Sequence, residues 1–266
     1  MQTPRSFLLC AVLALLSACA NSPTGPAPVT HVDGATRMPV TGVNGWQFNR
    51  VLRFGDYSTS AVGPTVTRTR TTCSGLCGGK LDLGLYYREF DARFSTATSK
   101  IAFTQHGPGG LDADVRALDQ SHVESAEWLT KWFGVPTDFG ARHDVTTSFS
   151  GTIKPAGDGR PAWHFTLVAD VGQPDIAVAA GWLSDEAGHV IVIRHMLPPA
   201  GTPAFVVRMM HGAGPGLQFE RDGRILGAVD PLADGVVTLR DELDPETRFA
   251  LASLSSALLL RPRSNV

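Results

Sequence analysis

The chain reads as a mainly β protein: an antiparallel sandwich, meander or open barrel carrying two helices. Three observations lead there. Short runs of alternating apolar and polar residues recur along most of the chain, glycine and proline interrupt them at close intervals, and the strand–helix–strand rhythm of a parallel sheet is missing. With 43% hydrophobic and 18% charged residues, the composition is that of a globular chain rather than a disordered one.

Taken in order, the first strand is expected over residues 46–54, with a turn at Gly55 and Asp56. Residues 65–72 place Thr65, Thr67, Thr69 and Thr71 on one side and Val66, Arg68 and Arg70 on the other. So little apolar surface suits an edge or exposed hairpin, where arginines also discourage edge-to-edge pairing. Residues 80–94 open with Leu81, Leu83 and Leu85 alternating against Asp82 and Gly84, the pattern of a half-buried strand. Further strands are expected at 100–105, 145–153, 162–171, 176–183, 189–196, 204–210, 217–221, 224–229 and 236–240.

Two segments read as helix. In 121–133, Val123, Ala126, Leu129, Trp132 and Phe133 fall at helical spacing, Ser121 and Glu124 fit a capping box, and Gly134 is a stop. Near the C-terminus Asp244 is a good N-cap, Pro245 suits the first helical position, and Glu246 suits the positive end of the dipole. From Phe249 to Leu260 this second helix is apolar almost all round, so it is expected to lie buried against the sheet or to plug an opening.

The N-terminus carries an address. Arg5 and the amino terminus form a small positive region, residues 7–16 are apolar, and small residues precede Cys19. The apolar run is about half the length that a spanning helix needs, roughly twenty residues. Leu16, Ser17, Ala18 and Cys19 together resemble the lipobox of bacterial lipoproteins. The resemblance implies a signal peptide over 1–18, cleavage before Cys19, a diacylglyceryl group on its thiol and an acyl chain on its new amine. Several chains hold a protein to a bilayer stably where one would be marginal. Ala20 in the following position implies, by the common sorting rule, the outer membrane, with the body facing the periplasm. Residues 19–42, rich in proline, glycine and small polar residues, read as an acylated cysteine plus tether, and 43–266 as a single β-rich domain.

Charge narrows the partners. Without Arg5 the chain has 22 basic and 25 acidic side chains, a balance that argues against a nucleic-acid binder. The distribution is uneven: residues 43–104 hold eight basic and four acidic side chains, whereas 13 basic and 20 acidic ones follow from Gln105 onward. The basic part is a candidate for anionic headgroups; neutralisation of one half by the other within the fold is the competing reading.

With Cys10 in the signal and Cys19 acylated, Cys73 and Cys77 remain as an even pair in an oxidising compartment, and a short structural disulfide is expected. Neither a Cys-x-x-Cys redox motif nor a haem motif is present, and no cofactor is implied. Candidate chemistry rests on strand histidines. His195 shares an alternation face with Ile191 and Ile193, His211 follows Phe205, Val207 and Met209, and His164 lies on a more polar side. They are candidates for acid–base work, but no metal-ligand spacing accompanies them, and a hydrogen-bonded core histidine is the competing reading. Segments 106–111 and 211–217 echo one another, each glycine-rich and each following an expected strand, as opposite walls of a site would; turn chemistry explains the same glycines.

Three functional classes follow: a non-catalytic envelope module binding a protein, glycan or lipid partner; a periplasm-facing hydrolase or metalloenzyme using these histidines; and a small-lipid carrier with its apolar helix beside a cavity.

Overall fold

A computed structural model describes residues 32–43, 50–63, 66–73, 79–83, 86–133, 135–157, 159–170, 180–196, 216–231 and 235–261. The strands are β1 (Ala35–Pro39), β2 (Arg53–Phe54), β3 (Tyr57–Thr59), β4 (Thr67–Cys73), β5 (Gly79–Asp82), β6 (Tyr86–His106), β7 (Asp112–Trp132), β8 (Val135–Pro155) and β9 (Trp163–Asp170). They continue with β10 (Ala180–Asp185), β11 (Val190–His195), β12 (Leu217–Arg221), β13 (Arg224–Asp230) and β14 (Val236–Arg240), and the chain then forms one helix, α1 (Pro245–Leu260).

All described pairings are antiparallel, and the sheet runs β1-β14-β13-β12-β11-β10-β9-β8-β7-β6-β3-β2. An isolated bridge between Thr41 and Arg53 brings its two ends together, so the meander is a nearly closed barrel. Two glycines stand where neighbouring strands leave no room for a side chain. At Gly151 a Cβ would lie 2.3 Å from the Arg116 carbonyl oxygen and 2.5 Å from the Phe165 ring, and at Gly227 one would lie 2.5 Å from the Thr238 carbonyl oxygen.

The barrel is filled from within. Helix α1 touches β6, β7 and β8 on one side and β13 and β14 on the other, and Phe249, Ala250, Leu251, Ala252, Ser253, Leu254, Ser255, Ser256 and Ala257 are all buried. A barrel of this strand number has an interior wider than its own side chains fill, and α1 takes up that space. Each fully buried leucine contributes about 1.5–3 kcal/mol. Ser253 and Ser255 are tolerated there because they donate their hydroxyls to the Phe249 and Leu251 carbonyls one turn back, both at 2.8 Å. The N-cap is as expected: the Asp244 carboxylate accepts from the Thr247 backbone N–H at 2.8 Å.

Three expectations are corrected. Residues 121–132 are strand, the upper part of β7, paired residue by residue with β6 and β8; two flanking ladders override a helical spacing whose local preference is weak. The strands expected at 100–105 and 145–153 are parts of β6 and β8, each 21 residues long. The sheet also starts before the expected boundary at 43, because β1 pairs with β14, and Met38 and Val40 are buried. Pro39 is compatible with that strand because it ends it, at the end of the sheet path. The expected strand at 204–210 and residues 44–49 lie outside the described residues, as do 1–31 with the lipobox cysteine Cys19.

Candidate functional site

The two described candidate histidines, His164 and His195, do not converge. His164 is exposed on β9, opposite Thr152 and Ser184, between the buried Trp163 and Phe165. His195 ends β11 on the other face, the one carrying the buried Ile191 and Ile193. His164 and His195 therefore stand on opposite faces of the sheet with β10 between their strands. His211 lies outside the described residues. Of the two glycine-rich segments, residues 107–111 turn between β6 and β7 beside the start of α1, where a Cβ on Gly107 would meet the Phe249 ring, whereas Gly216 leads into β12 beside Met196 at the opposite end of the barrel, and residues 211–215 lie outside the described residues.

Two histidines not singled out from the sequence are paired with carboxylates. His106 Nδ1 lies 2.7 Å from Asp112 Oδ1 across the β6–β7 turn, and His189 Nδ1 lies 2.7 Å from Asp185 Oδ2 across the β10–β11 turn. Burial pulls the Asp185 carboxyl up, but hydrogen bonds from the His189 ring and backbone N–H and from the Ala187 backbone outweigh it and hold the group below the usual carboxylate range. Each pair fastens its own hairpin. Among the described residues no group of three or more histidine, cysteine or acidic side chains is arranged to hold a metal ion.

The barrel end nearest the start of α1 has a shallow apolar cleft between Trp163, Ile153 and Phe249, with Arg160 and Glu246 at its edge. At the other end, Arg261 closes α1: its Nε donates to Asp119 Oδ1 at 2.8 Å, and its guanidinium lies 5.3 Å from the centre of the Phe149 ring. A cation there also suits the negative end of the helix dipole. Burial pushes the Asp119 carboxyl up, opposed by the charge and hydrogen bond of Arg261.

Above this ion pair the sheet leaves the barrel. The upper parts of β6, β7 and β8 run on together as a blade of roughly 13 residues per strand, about 40 Å at about 3.3 Å per residue. Their outer edge is β4, paired with residues 93–99 of β6, followed by β5, paired with residues 87–90. All seven residues of β4 are exposed, as expected of an edge. Cross-strand hydroxyl pairs join β4 to β6: Thr67 with Ser99 at 2.8 Å and Thr71 with Ser95 at 3.1 Å.

Aromatic residues recur along one face of this blade. Phe94 and His122 stack with centroids 6.4 Å apart. Trp128 lies over Gly140, where a Cβ would come within 2.2 Å of the indole, and Trp132 lies 6.3 Å from Phe133 at the tip. Phe90 and Tyr86 oppose Trp128 and Trp132 in the register. Trp132 is 53% exposed, Phe133 67%, Val135 62% and Leu83 67%. Phe133 also has φ 51°, in the left-handed region where glycine or asparagine is the inexpensive choice.

No known protein family, curated protein or solved structure matches the chain.

Proposed function

We propose that this protein is a lipid-anchored envelope lipoprotein whose body is a non-catalytic binding or structural module, with the blade as its contact surface. The observation that carries this reading is the contrast between a barrel interior occupied by α1 and an exposed aromatic tip on the blade. An interior filled with protein favours contact at the surface over carriage of a ligand inside. Contiguous exposed apolar side chains on a folded protein mark interaction sites more often than isolated ones do.

The anchor belongs to the same reading. Cys19 in the lipobox-like sequence is the acylated residue, residues from Ala20 up to β1 form the tether, and the outer membrane facing the periplasm is the address. Strand β1 begins at Ala35, opposite Arg240, where β14 ends and the chain leads into α1. The Cys73–Cys77 disulfide belongs to it as well. Cys73 pairs with Arg93 and Gly79 with Phe90, so the chain advances six residues between these pairs where β6 advances three, and Cys77 lies outside the described residues. Partners are an envelope protein, glycan or lipid, with the membrane held through the anchor.

Mass spectrometry of the membrane-extracted protein tests the anchor: an N-terminal Cys19 carrying acyl chains is expected, with Cys19→Ala moving the protein out of the acylated fraction. An unmodified Cys19 in the extracted protein would overturn it. A photo-crosslinking residue at His122, on the blade, is expected to capture an envelope component, while the same probe at His164, on the barrel, is not.

A further inference from the structure

We infer that the outer face of the blade is a self-association surface, on which a second copy of this chain packs face to face about a two-fold axis. The inference deepens the blade reading above and rests on it, with the chain itself as the partner protein; it does not depend on acylation of Cys19.

A sheet needs an apolar face covered by a second layer to be stable on its own. In the barrel, β6, β7 and β8 have α1 behind them, whereas residues 120–132 of β7 have no buried side chain on either face. The barrel fixes which face is which. Ile101, Val115 and Ala117 point inward and are buried, while Asp114 and Arg116 are exposed outside. Residues directly opposite in an antiparallel ladder share a face. Carried up the blade, the alternation places Arg70 of β4, Ala92 and Phe94 of β6, Ala126 and Trp128 of β7, and Asp138 of β8 together on the outer face.

These six residues are arranged symmetrically. Ala92 and Ala126 pair with one another near the middle of the face. Arg70 stands level with Thr96 and His122, four residues from Ala126 toward the barrel, and Asp138 stands level with Thr130, four residues from Ala126 toward the tip. Strand β4 lies one strand outside β6, and β8 one strand outside β7. Arg70 and Asp138 therefore sit at equal and opposite offsets from the midpoint of the alanine pair. So do Phe94, two residues from Ala92 toward the barrel, and Trp128, two residues from Ala126 toward the tip. A two-fold axis in the plane of contact, through that midpoint and oblique to the strands, exchanges the members of each pair. Each Arg70 then meets Asp138 of the second copy, and each Trp128 meets its Phe94. The alanines at the axis suit the close approach of packed sheets, about 10 Å apart.

Charge and area agree with a second copy. Arg70 and Asp138 are both exposed, and neither has an ion-pair partner among the described residues. The described charges on this face balance, Arg68 and Arg70 against Glu124 and Asp138, so two copies meet without net repulsion. Opposite charges on either side of a symmetric centre make a face complementary to itself. Four strands, β4 and β6 to β8, spaced roughly 4.8 Å apart over about 40 Å, give the face about 800 Å². That is about what each partner contributes to a standard specific interface, roughly 800 Å². The arginines of β4 oppose edge-to-edge pairing but leave the face open.

The test uses the chain from Ala20 onward, which contains every described strand and α1, exported through an unrelated cleavable signal so that acyl chains do not drive association. Light scattering and analytical ultracentrifugation are expected to show a concentration-dependent dimer. Arg70→Asp and Asp138→Arg should each raise its dissociation constant by roughly tenfold or more, since each change is felt twice across the two-fold. Combined in one chain they exchange the signs, and dimerisation should return to near the parent value. Ala126→Arg, at the axis, should abolish the dimer, while Thr152→Arg, on the outside of the barrel, should leave it unchanged. Unchanged far-ultraviolet circular dichroism shows that a variant is folded. A monomer at all concentrations, a double variant no closer to the parent than the single ones, or a dimer insensitive to Ala126→Arg would overturn the inference. A purified chain that stays monomeric while its His122 probe captures a different envelope component in membranes would overturn it and leave the blade reading standing. A His122 probe that captures nothing in either setting would remove both.

Discussion

The lower and upper halves of β6, β7 and β8 are the same strands in the same register, yet they solve different problems. In the lower half alternate residues are buried, among them Ile101, Phe103, Val115, Phe149 and Ile153. In the upper half none of residues 120–132 of β7 is buried, and Val145 on β8 is the exception among the described side chains paired with that stretch. Backbone pairing continues unbroken across the change, apart from a register shift at Thr130 and Lys131. Hydrogen-bonded ladders therefore set how far the strands run, while burial depends on a second layer, which α1 supplies to the barrel.

The two halves should separate most clearly on loss of apolar bulk. Leu254→Ala, in the middle of α1, is expected to cost about 2–5 kcal/mol, whereas Trp132→Ser at the tip should stay within about 0.5 kcal/mol; urea denaturation of the two variants measures both. A near-equal loss would break the distinction between core and blade.

Added bulk gives the next contrast. Gly151→Ala sets a methyl against the Arg116 carbonyl and the Phe165 ring inside the barrel, and a loss of about 1–3 kcal/mol is expected. Gly140→Ala meets the Trp128 ring, a side chain on the open blade that can swing aside, so a smaller loss is expected by thermal unfolding.

Titration distinguishes two carboxylates of opposite sign. The folded pKa of Asp185 is lowered, so its contribution is present above the unfolded pKa and is lost as pH falls through the folded one. Asp185→Asn should cost about 1 kcal/mol at neutral pH, and the difference should shrink in acid. The folded pKa of Asp119 is raised, so the native state holds that proton more tightly, and stability falls as pH rises between the unfolded and folded values. Relative to Asp119→Asn, the parent should gain stability as pH drops through that window. Parallel pH profiles for the two variants would contradict the assignment.

The smallest expected effect has the opposite direction. Phe133→Asn places a residue tolerant of positive φ at the tip and should raise stability by about 0.5–1 kcal/mol. Calorimetry of the variant beside the parent measures the gain.

Legibility in the sequence followed the same division. Helix α1 was readable because Asp244 and Pro245 act through neighbouring backbone groups, and its apolar circumference foretold burial on every side. Strands β9 and β11 were readable from alternation, since one face of each meets the barrel interior, whereas β13 and β14, with consecutive residues buried, were readable as short apolar runs between turns. The blade was not. Residues 121–132 lack a buried face, so no burial imposes a two-residue period on them, and Val123, Ala126, Leu129 and Trp132 left a helical spacing by default. The edge character of β4 was readable because threonine and arginine offer nothing to bury. His164 and His195 were visible as residue types, but their separation depends on which sheet face each occupies. The Asp185–His189 and His106–Asp112 pairs were missed because turn geometry makes them.

By itself the sequence determined the β class, the capped and buried terminal helix, most strand positions and the exposed edge, because caps, alternation and turn residues act over a few neighbours. Only the tertiary structure decided that the meander curls round its own helix, that three strands outrun the barrel, and that one face of their extension gathers aromatic side chains. Those outcomes depend on strand order and on register summed over long separations, and no local pattern encodes either.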